Sequence, residues 1–298
     1  MQRALRTHLS NEHSSKNTPQ ITVSPGEVFE AETELCTGDW LKSLDTVWSR
    51  DKQNGTNPVV IISIKGANPG DSIRVHIHDV APDSIGYTGF VNREHKLANQ
   101  IIDRDWGNNL RIVSIENGFV NFSPSLKIPV KPMIGVLGAA PLNESIQNTF
   151  GGKHGGNMDT QEVCPGAIVT LPVEVPGALL HIGDVHAIQG DGEINGSGGI
   201  ECCGLVTLHV EIIPRPKFNN CVRVENDDYI CAIACEGSIE DCCNTAIREL
   251  LYWINADYGM EIPDAYLLLG QVMEMRVPQL VNPSRSIVAK VRKSLLKY

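Results

Sequence analysis

Short stretches in which apolar and polar residues alternate, separated by glycine and proline turns, recur through residues 21–213. Residues 21–35 and 58–80 each predict two strands, joined at Ser24-Pro25-Gly26 and at Asn68-Pro69-Gly70. The alternation resumes over residues 200–213. Because a period of two places alternate side chains on opposite faces of a strand, the pattern favours a β fold.

The pattern changes to a helical one beyond residue 228. Ser238 and Asp241 resemble a capping box, and they predict a helix that ends near Gly259. A second helix is predicted over residues 263–273, followed by one or two strands within residues 277–291. We therefore expect an α+β, predominantly β fold. Residues 1–214 would form a β-sandwich or barrel-like body that carries the site, with a smaller α+β part over residues 215–298 packed on it.

The charge balance excludes some partners. The 298 residues include 35 acidic and 25 basic side chains, and this net charge of -10 disfavours nucleic acid and anionic membranes. The nine cysteines form no C-x-x-C pair and are expected to be reduced thiols. The N-terminus shows no apolar run of secretory length, and no later run is long enough to span a membrane. We expect a cytoplasmic protein.

Residues 181–201 concentrate side chains that bind metals or move protons. Asp184 and His186 lie two apart on a predicted buried strand and therefore point the same way. The other members of this group are Gln189, Asp191, Glu193 and Glu201. The glycine spacing does not match a dinucleotide-binding loop. Gathering such groups is costly unless a cation, a substrate or water satisfies them, so the segment predicts a site.

Residues 151–160 form a second candidate segment, which is too rich in glycine for a helix or a regular strand. It carries His154, Asn157 and Asp159, which offer an imidazole, an amide and a carboxylate. Functional loops have this composition, although a flexible turn with incidental polar residues would also explain it.

Three other features have both a functional and a structural interpretation. His76 and His78 share the polar face of a predicted strand, where they could bind a metal together or simply be exposed. Glu30, Glu32 and Glu34 share one strand face, which is either solvated or turned to a cleft. The polar segment of residues 36–58 predicts a surface connection.

Several of these motifs together resemble the acetamidase/formamidase family. They include GGKHGGNMD at residues 151–159, VPGALLHIGDVHAIQGDGE at residues 175–193, and PMIGVLGAAP at residues 132–141. The resemblance covers nearly the whole chain in the same order. It implies an amidohydrolase with a β-rich architecture that cleaves short aliphatic amides, such as formamide or acetamide, to ammonia and the carboxylate. It also implies a homodimer or higher homo-oligomer and a bound divalent metal, zinc or calcium.

The resemblance also carries over site residues at the matching positions. These residues are Asp79, His154, Asn157, Asp159, Asp184, His186, Gln189, Asp191, Glu193 and Glu201, with Glu32 and Glu34 near the N-terminus. This chain departs from the family pattern at residues 195–199, where Asn-Gly-Ser-Gly-Gly replaces the usual cysteine-containing turn before Glu201.

Amide hydrolysis needs an activated water, stabilisation of the oxyanion and a proton for the leaving ammonia. The sequence has no G-x-S-x-G elbow and no convincing cysteine nucleophile, so a metal-activated water is our hypothesis. Glu193 or Glu201 would act as general base and then proton donor, and Asn157 and Gln189 would bind the substrate. The candidate metal ligands are Asp79, His154, Asp159, Asp184, His186 and Asp191, and His186 is also counted among the catalytic residues.

Two alternatives stay open at this point. The chain could be a non-catalytic β protein that binds a metal or a small ligand on the same scaffold. It could also hydrolyse a different C–N bond, such as that of a cyclic amide or a carbamoyl group.

Overall fold

Strands account for most of the regular structure in the computed structural model, which describes residues 1–90 and 96–297. Eighteen strands join one curled sheet, and two short strands pair separately. This architecture confirms the predicted α+β, predominantly β class. In the described residues, no helix combines the length and the apolarity needed to cross a membrane.

The strands of the first half of the chain are β1 (Gln2–Ala4), β2 (Glu12–Ser14), β3 (Ile21–Val23), β4 (Phe29–Thr33), β5 (Val59–Ile64), β6 (Asp71–Phe90), β7 (Asn109–Glu116), β8 (Phe119–Ser123), β9 (Leu126–Pro129) and β10 (Met133–Ala139). Those of the second half are β11 (Ser145–Gln147), β12 (Gly151–Gly152), β13 (Gly155–Asn157), β14 (Ile168–Pro172), β15 (Leu180–Ile188), β16 (Ile200–Pro214), β17 (Val222–Glu225), β18 (Tyr229–Glu236), β19 (Glu274–Gln279) and β20 (Arg285–Arg292). The helices are α1 (Lys96–Ile101), α2 (Ile239–Tyr258) and α3 (Ile262–Val272).

β15 is the strand that positions the candidate site. It pairs with β10 along one edge, while its other edge pairs first with β5 and then with β16. All of its residues except the last are buried. Because neighbouring strands satisfy its backbone on both edges, polar side chains on β15 are held at fixed positions inside the sheet.

β6 and β16 form the longest ladder in the molecule. Their antiparallel pairing runs from Asp71 opposite Pro214 to Tyr87 opposite Glu201. The inward side chains of this ladder, such as Val75 and Val210, belong to the main hydrophobic core. The ladder therefore connects the sheet core to the candidate site, which begins at its Glu201 end.

The ends of α2 follow local capping chemistry. The Ser238 hydroxyl accepts a hydrogen bond from the backbone N–H of Asp241 at 3.1 Å, and Gly259 ends the helix in the left-handed conformation at φ 71°. The helix packs its apolar face on β18 and β20 and forms a second hydrophobic core with α3.

The predicted division near residue 214 stays a prediction. The second core is built entirely from residues of the C-terminal part. However, β17 pairs with β14 of the body as well as with β18, so one sheet runs through both parts. All nine cysteines lie in the described part of the chain as free thiols.

Candidate active site

Asp184 and His186 project from β15 into the interior, as their spacing of two predicts. His186 is fully buried and Asp184 is 3% exposed. The His186 Nε2 atom lies 3.5 Å from Asp184 Oδ1 and 3.1 Å from Oε2 of Glu201, which stands opposite His186 on β16. Strand pairing thus places two carboxylates against one imidazole.

Asp159 joins this group from the loop after β13. One ligand atom from each of Asp159, Asp184 and His186 lies within 4.8 Å of the others. Among the described residues, Asp159 Oδ1, Asp184 Oδ1 and His186 Nδ1 have no hydrogen-bond partner, and the contacts of His186 Nε2 with the two carboxylates lack hydrogen-bond geometry. Buried polar atoms normally have partners, so this orphaned set is unusual. Two carboxylates and an imidazole are ligands that a zinc-type ion accepts, and carboxylates also suit calcium, so the residues fit a divalent cation.

A cavity of about 350 Å³ opens onto this group. Its polar lining includes the carboxylates of Asp159, Asp184, Glu193 and Glu201 and the carboxamides of Asn57, Asn157 and Asn282, together with the guanidinium of Arg50. The walls include the aromatic rings of Trp48, Tyr87 and Phe90. A small polar molecule entering this cavity would meet acidic groups and amides together.

The carboxamides organise the carboxylates. Asn57 Nδ2 donates hydrogen bonds to Asn157 Oδ1 at 3.2 Å and to Asp184 Oδ2 at 3.4 Å. Asn282 Nδ2 donates to Asp159 Oδ2 at 3.0 Å. These bonds fix one oxygen of each aspartate and leave the other facing the shared centre.

Burial makes the metal-free site retain protons. It raises the pKa of Glu193 to about 8 and that of Glu201 to about 7, and the Asp184 carboxylate contributes to both rises. Burial also raises the pKa of Asp159 well above its usual value, with further increases from Glu193 and Asp184. Burial opposes the charge of His186, but Glu201 and Asp184 raise its pKa well above the usual value.

Left-handed backbone conformations concentrate at this site. Seven non-glycine residues among those described have positive φ, and four of them line the cavity. These four are Asn57 (48°), Asp159 (47°), Asp184 (61°) and Glu193 (48°). Such conformations cost about 1–3 kcal/mol each and persist where the surrounding structure holds them, commonly at functional sites.

Two glycines leave room for the cluster. A Cβ atom on Gly135 of β10 would lie 2.4 Å from Asp184 Oδ2 and 2.6 Å from Asp159 Oδ1. A Cβ atom on Gly198 would lie 2.6 Å from Glu201 Oε1 and 2.7 Å from His186 Nε2. Gly198 belongs to the turn that departs from the family pattern, and its N–H donates to Glu193 Oε1 at 3.1 Å. The turn therefore packs directly over the site.

The structure brings together Asn157, Asp159, Asp184, His186, Glu193 and Glu201, but it places three predicted metal ligands elsewhere. Asp79 is exposed on β6, opposite Thr207. Asp191 is exposed and forms an ion pair with Arg276 at 2.7 Å. His154 is buried in a separate group, with its ring centroid 5.0 Å from that of His13. The structure therefore does not bring these three side chains to the cluster of Asp159, Asp184 and His186, because adjacent positions in a turn need not face one point.

Gln189 also differs from its predicted role. Its Nε2 donates to the backbone oxygen of Asp159 at 2.7 Å, so it holds the loop that carries that carboxylate. Glu30 and Glu32 form ion pairs with Arg3 and do not line the cavity. The structure thus gives Gln189 a positioning contact and places these glutamates on an outer face.

The segment of residues 36–57 is more than the surface connection that its composition predicts. Cys36 and Trp40 are buried beside Tyr87 in a small hydrophobic cluster, and Asn57 reaches the carboxylates. The polar composition of this segment gave no sign of these contacts, because isolated apolar residues in a polar stretch do not form a repeating pattern that predicts a buried face. Asn282, from the loop between β19 and β20, gave no sequence signal at all.

The fold and site define a β-rich protein with a buried acidic and imidazole cluster beside a cavity. The sequence profile of the acetamidase/formamidase family matches residues 143–226, which carry most of the cluster. The chain is 32% identical to an acetamidase of Yersinia enterocolitica of known crystal structure, covering 97% of this chain and 90% of that one with a TM-score of 0.88. The chain therefore belongs to the acetamidase/formamidase family.

Two other relatives extend the comparison. The crystal structure of an acetamidase of Bacillus halodurans has a TM-score of 0.91 and 28% identity, covering 99% of this chain and 98% of that one. A Schizosaccharomyces pombe protein with the provisional name formamidase is 27% identical over an alignment of 251 residues, and the match covers 64% of this chain. This chain spans only 61% of the length of that relative. The cytoplasmic location and the homo-oligomeric state stay predictions.

We predict that Gly135→Ala destabilises the fold. The added methyl group would force two buried carboxylates to move, and such overpacking costs about 1–3 kcal/mol. Gly237→Ala is the matched control, because a Cβ atom there has no heavy atom within 4 Å. The free energy of unfolding, measured with a chemical denaturant, should fall only in the first variant. Equal values for the two variants would show that the cluster is not tightly packed.

We also predict that the contribution of Glu193 to the stability of the metal-free protein falls as the pH rises from about 4.5 to about 8. Folded Glu193 keeps its proton up to a pKa of about 8, whereas the unfolded chain releases it near 4.5. At this residue the folded state therefore binds more protons in this window, and raising the pH removes that contribution.

Glu193→Gln should remove this share of the pH dependence. With a chelator present, the free energy of unfolding of the variant should rise relative to that of the wild type by about 1 kcal/mol per pH unit between pH 5 and pH 7. Denaturant unfolding at several pH values measures the difference. Parallel curves for the two proteins would contradict the raised proton affinity of Glu193.

Proposed function

We propose that the chain is an amidase that hydrolyses short linear amides of the formamide or acetamide type to ammonia and the carboxylate. One observation carries this proposal: buried proton-exchanging glutamates and carboxamide side chains line the same small cavity in a chain of this family. The names of the relatives, acetamidase and formamidase, support the same interpretation.

Asn157 and Asn282 are suited to hold the substrate. Both carboxamides line the cavity beside the carboxylates. An amide substrate offers a carbonyl oxygen that accepts hydrogen bonds and an N–H₂ group that donates them. Because Asn157 Oδ1 accepts from Asn57 and Asn282 Nδ2 donates to Asp159, the N–H₂ group of Asn157 suits the substrate carbonyl and the side-chain oxygen of Asn282 suits the substrate N–H₂ group. The aromatic walls would contact the short acyl group.

The two glutamates can divide the proton transfers between them. Glu201, with a pKa of about 7, is partly deprotonated near neutral pH and can accept a proton from the attacking water. Glu193, with a pKa of about 8, retains a proton that it can give to the leaving nitrogen.

We also propose that Asp159, Asp184 and His186 hold a divalent metal, zinc or calcium. Their orphaned ligand atoms support this assignment. A bound zinc-type ion would supply Lewis-acid chemistry in the cavity. Asn57 and Asn282 would keep the aspartates oriented, because Asn57 donates a hydrogen bond to Asp184 Oδ2 and Asn282 donates one to Asp159 Oδ2.

We predict that Glu201→Gln lowers kcat for ammonia release from formamide or acetamide by roughly 10²–10⁴-fold, the usual contribution of a general base. Glu116→Gln is the control, because it makes the same change at an exposed position on β7. A coupled ammonia assay measures both variants. Unchanged kcat in Glu201→Gln would refute the assigned role.

Metal removal is a separate test. Chelation followed by dialysis should abolish ammonia release, and zinc or calcium should restore it in the wild type but not in Asp184→Asn. Full activity of metal-free protein would refute the metal assignment. If metal-loaded protein binds short amides in calorimetry without hydrolysing them, a non-catalytic ligand-binding protein is the correct interpretation. Cyclic amides and carbamoyl compounds in the same substrate panel test the other C–N bonds.

A further inference from the structure

The outward face of the β6–β16 ladder carries three imidazoles and a carboxylate next to one another. His76 and His78 project from β6, and His209 and Glu211 project from β16. His76 stands directly opposite His209 in the strand register. The intervening residues, Ile77 and Val210, are buried on the other face. We call these four polar residues the outer histidine cluster.

The side chains of the outer histidine cluster are in contact. His78 Nε2 lies 2.8 Å from His209 Nδ1, and His76 Nε2 lies 3.0 Å from Glu211 Oε2. The His209 ring stacks on both other rings, with centroid distances of 4.2 Å to His76 and 4.9 Å to His78. One ligand atom each from His76, His209 and Glu211 lies within 4.8 Å of the others. Three potential ligands thus converge on one small region, and His78 lies against His209 beside them.

We propose that the outer histidine cluster is a second metal site, which binds a zinc-type divalent cation between β6 and β16. Imidazole nitrogens and a carboxylate oxygen are the ligands that zinc prefers, at about 2.0–2.2 Å. Paired strands already hold these donors close together, so small side-chain rotations are enough to turn them toward one ion.

The local charge and exposure are compatible with a cation. Arg74, which stands opposite Glu211 in the strand register, forms an ion pair with Glu225 at 2.6 Å, and Glu225 also pairs with Lys293 at 2.8 Å. The side chains of His76 and Glu211 are 20% and 46% exposed, so an ion can reach them from solvent. This exposure also distinguishes the cluster from the buried cavity, which lies where the same ladder ends at Tyr87 and Glu201.

A cation bound at this site would link the two strands that form the longest ladder of the sheet. A cation that joins His76 of β6 to His209 and Glu211 of β16 would cross-link two strands that already pair. Because the ion binds only the folded state, it would raise the stability of the protein by an amount that grows with the logarithm of the free zinc concentration above the Kd. The proposal does not depend on the amidase assignment, because none of these four residues lines the cavity.

The test is a count of zinc ions bound per chain. Chelator-treated full-length protein is titrated with zinc ion alone, and bound zinc is followed by competition with a chromophoric chelator. His209→Ala should bind one zinc fewer per chain than the wild type. The affinity of the outer histidine cluster for zinc should also fall in this variant. The loss should exceed the roughly 10–100-fold that removing a hydrogen-bond partner of a metal ligand costs. His8→Ala, which removes an exposed histidine outside the cluster, should match the wild type.

The same preparations provide two further readouts. Saturating zinc should raise the Tm less in His209→Ala than in His8→Ala, and Glu211→Gln should weaken zinc binding without changing ammonia release. Equal zinc stoichiometry and affinity in the wild type, His209→Ala and Glu211→Gln would overturn the proposal. Any zinc held by Asp159, Asp184 and His186 adds equally to all of these proteins, so it cannot imitate the expected difference.

Discussion

The burial of ionisable groups around β15 is the constraint on which the rest of the site depends. Asp159, Asp184, His186, Glu193 and Glu201 are each at most 7% exposed. Charged groups removed from water lose hydration that isolated hydrogen bonds do not replace, so the metal-free cluster keeps protons instead. The same penalty makes the cluster a strong potential site for a cation or a polar substrate. Proton affinity and ligand affinity therefore have one physical origin.

Backbone geometry makes this concentration of charge possible. A regular strand directs alternate side chains to opposite faces, so extended backbone alone cannot bring carboxylates from a strand, a loop and a short helical turn to one centre. Left-handed conformations at Asp159, Asp184 and Glu193 turn these side chains inward, and Gly135 and Gly198 leave space for them. The large hydrophobic core around β15 supplies the stability that maintains this strain.

Much of the fold could be predicted from the sequence, because its signals are local. The period of two marked β15, β16 and the first half of β6 but not β7 or β18, where a helical pattern was expected beyond residue 228, and the caps marked the start of α2 at Ser238 and its end near Gly259. The pairing of β15 with β5, β10 and β16 could not be predicted. Alternation shows which face of a strand is buried, but it does not show which distant strand lies beside it.

The sequence by itself determined that Asp184 and His186 share one face of a buried strand, and that a glycine-rich loop offers Asp159 nearby. Only the tertiary structure decided that Asp159 joins them, that Asp191 turns outward to Arg276, and that Asn57 and Asn282 complete the cavity. The physical reason is the range of the forces involved. Local sterics fix a side chain relative to its own strand, whereas convergence on one point depends on strand pairing and packing between residues far apart in the chain.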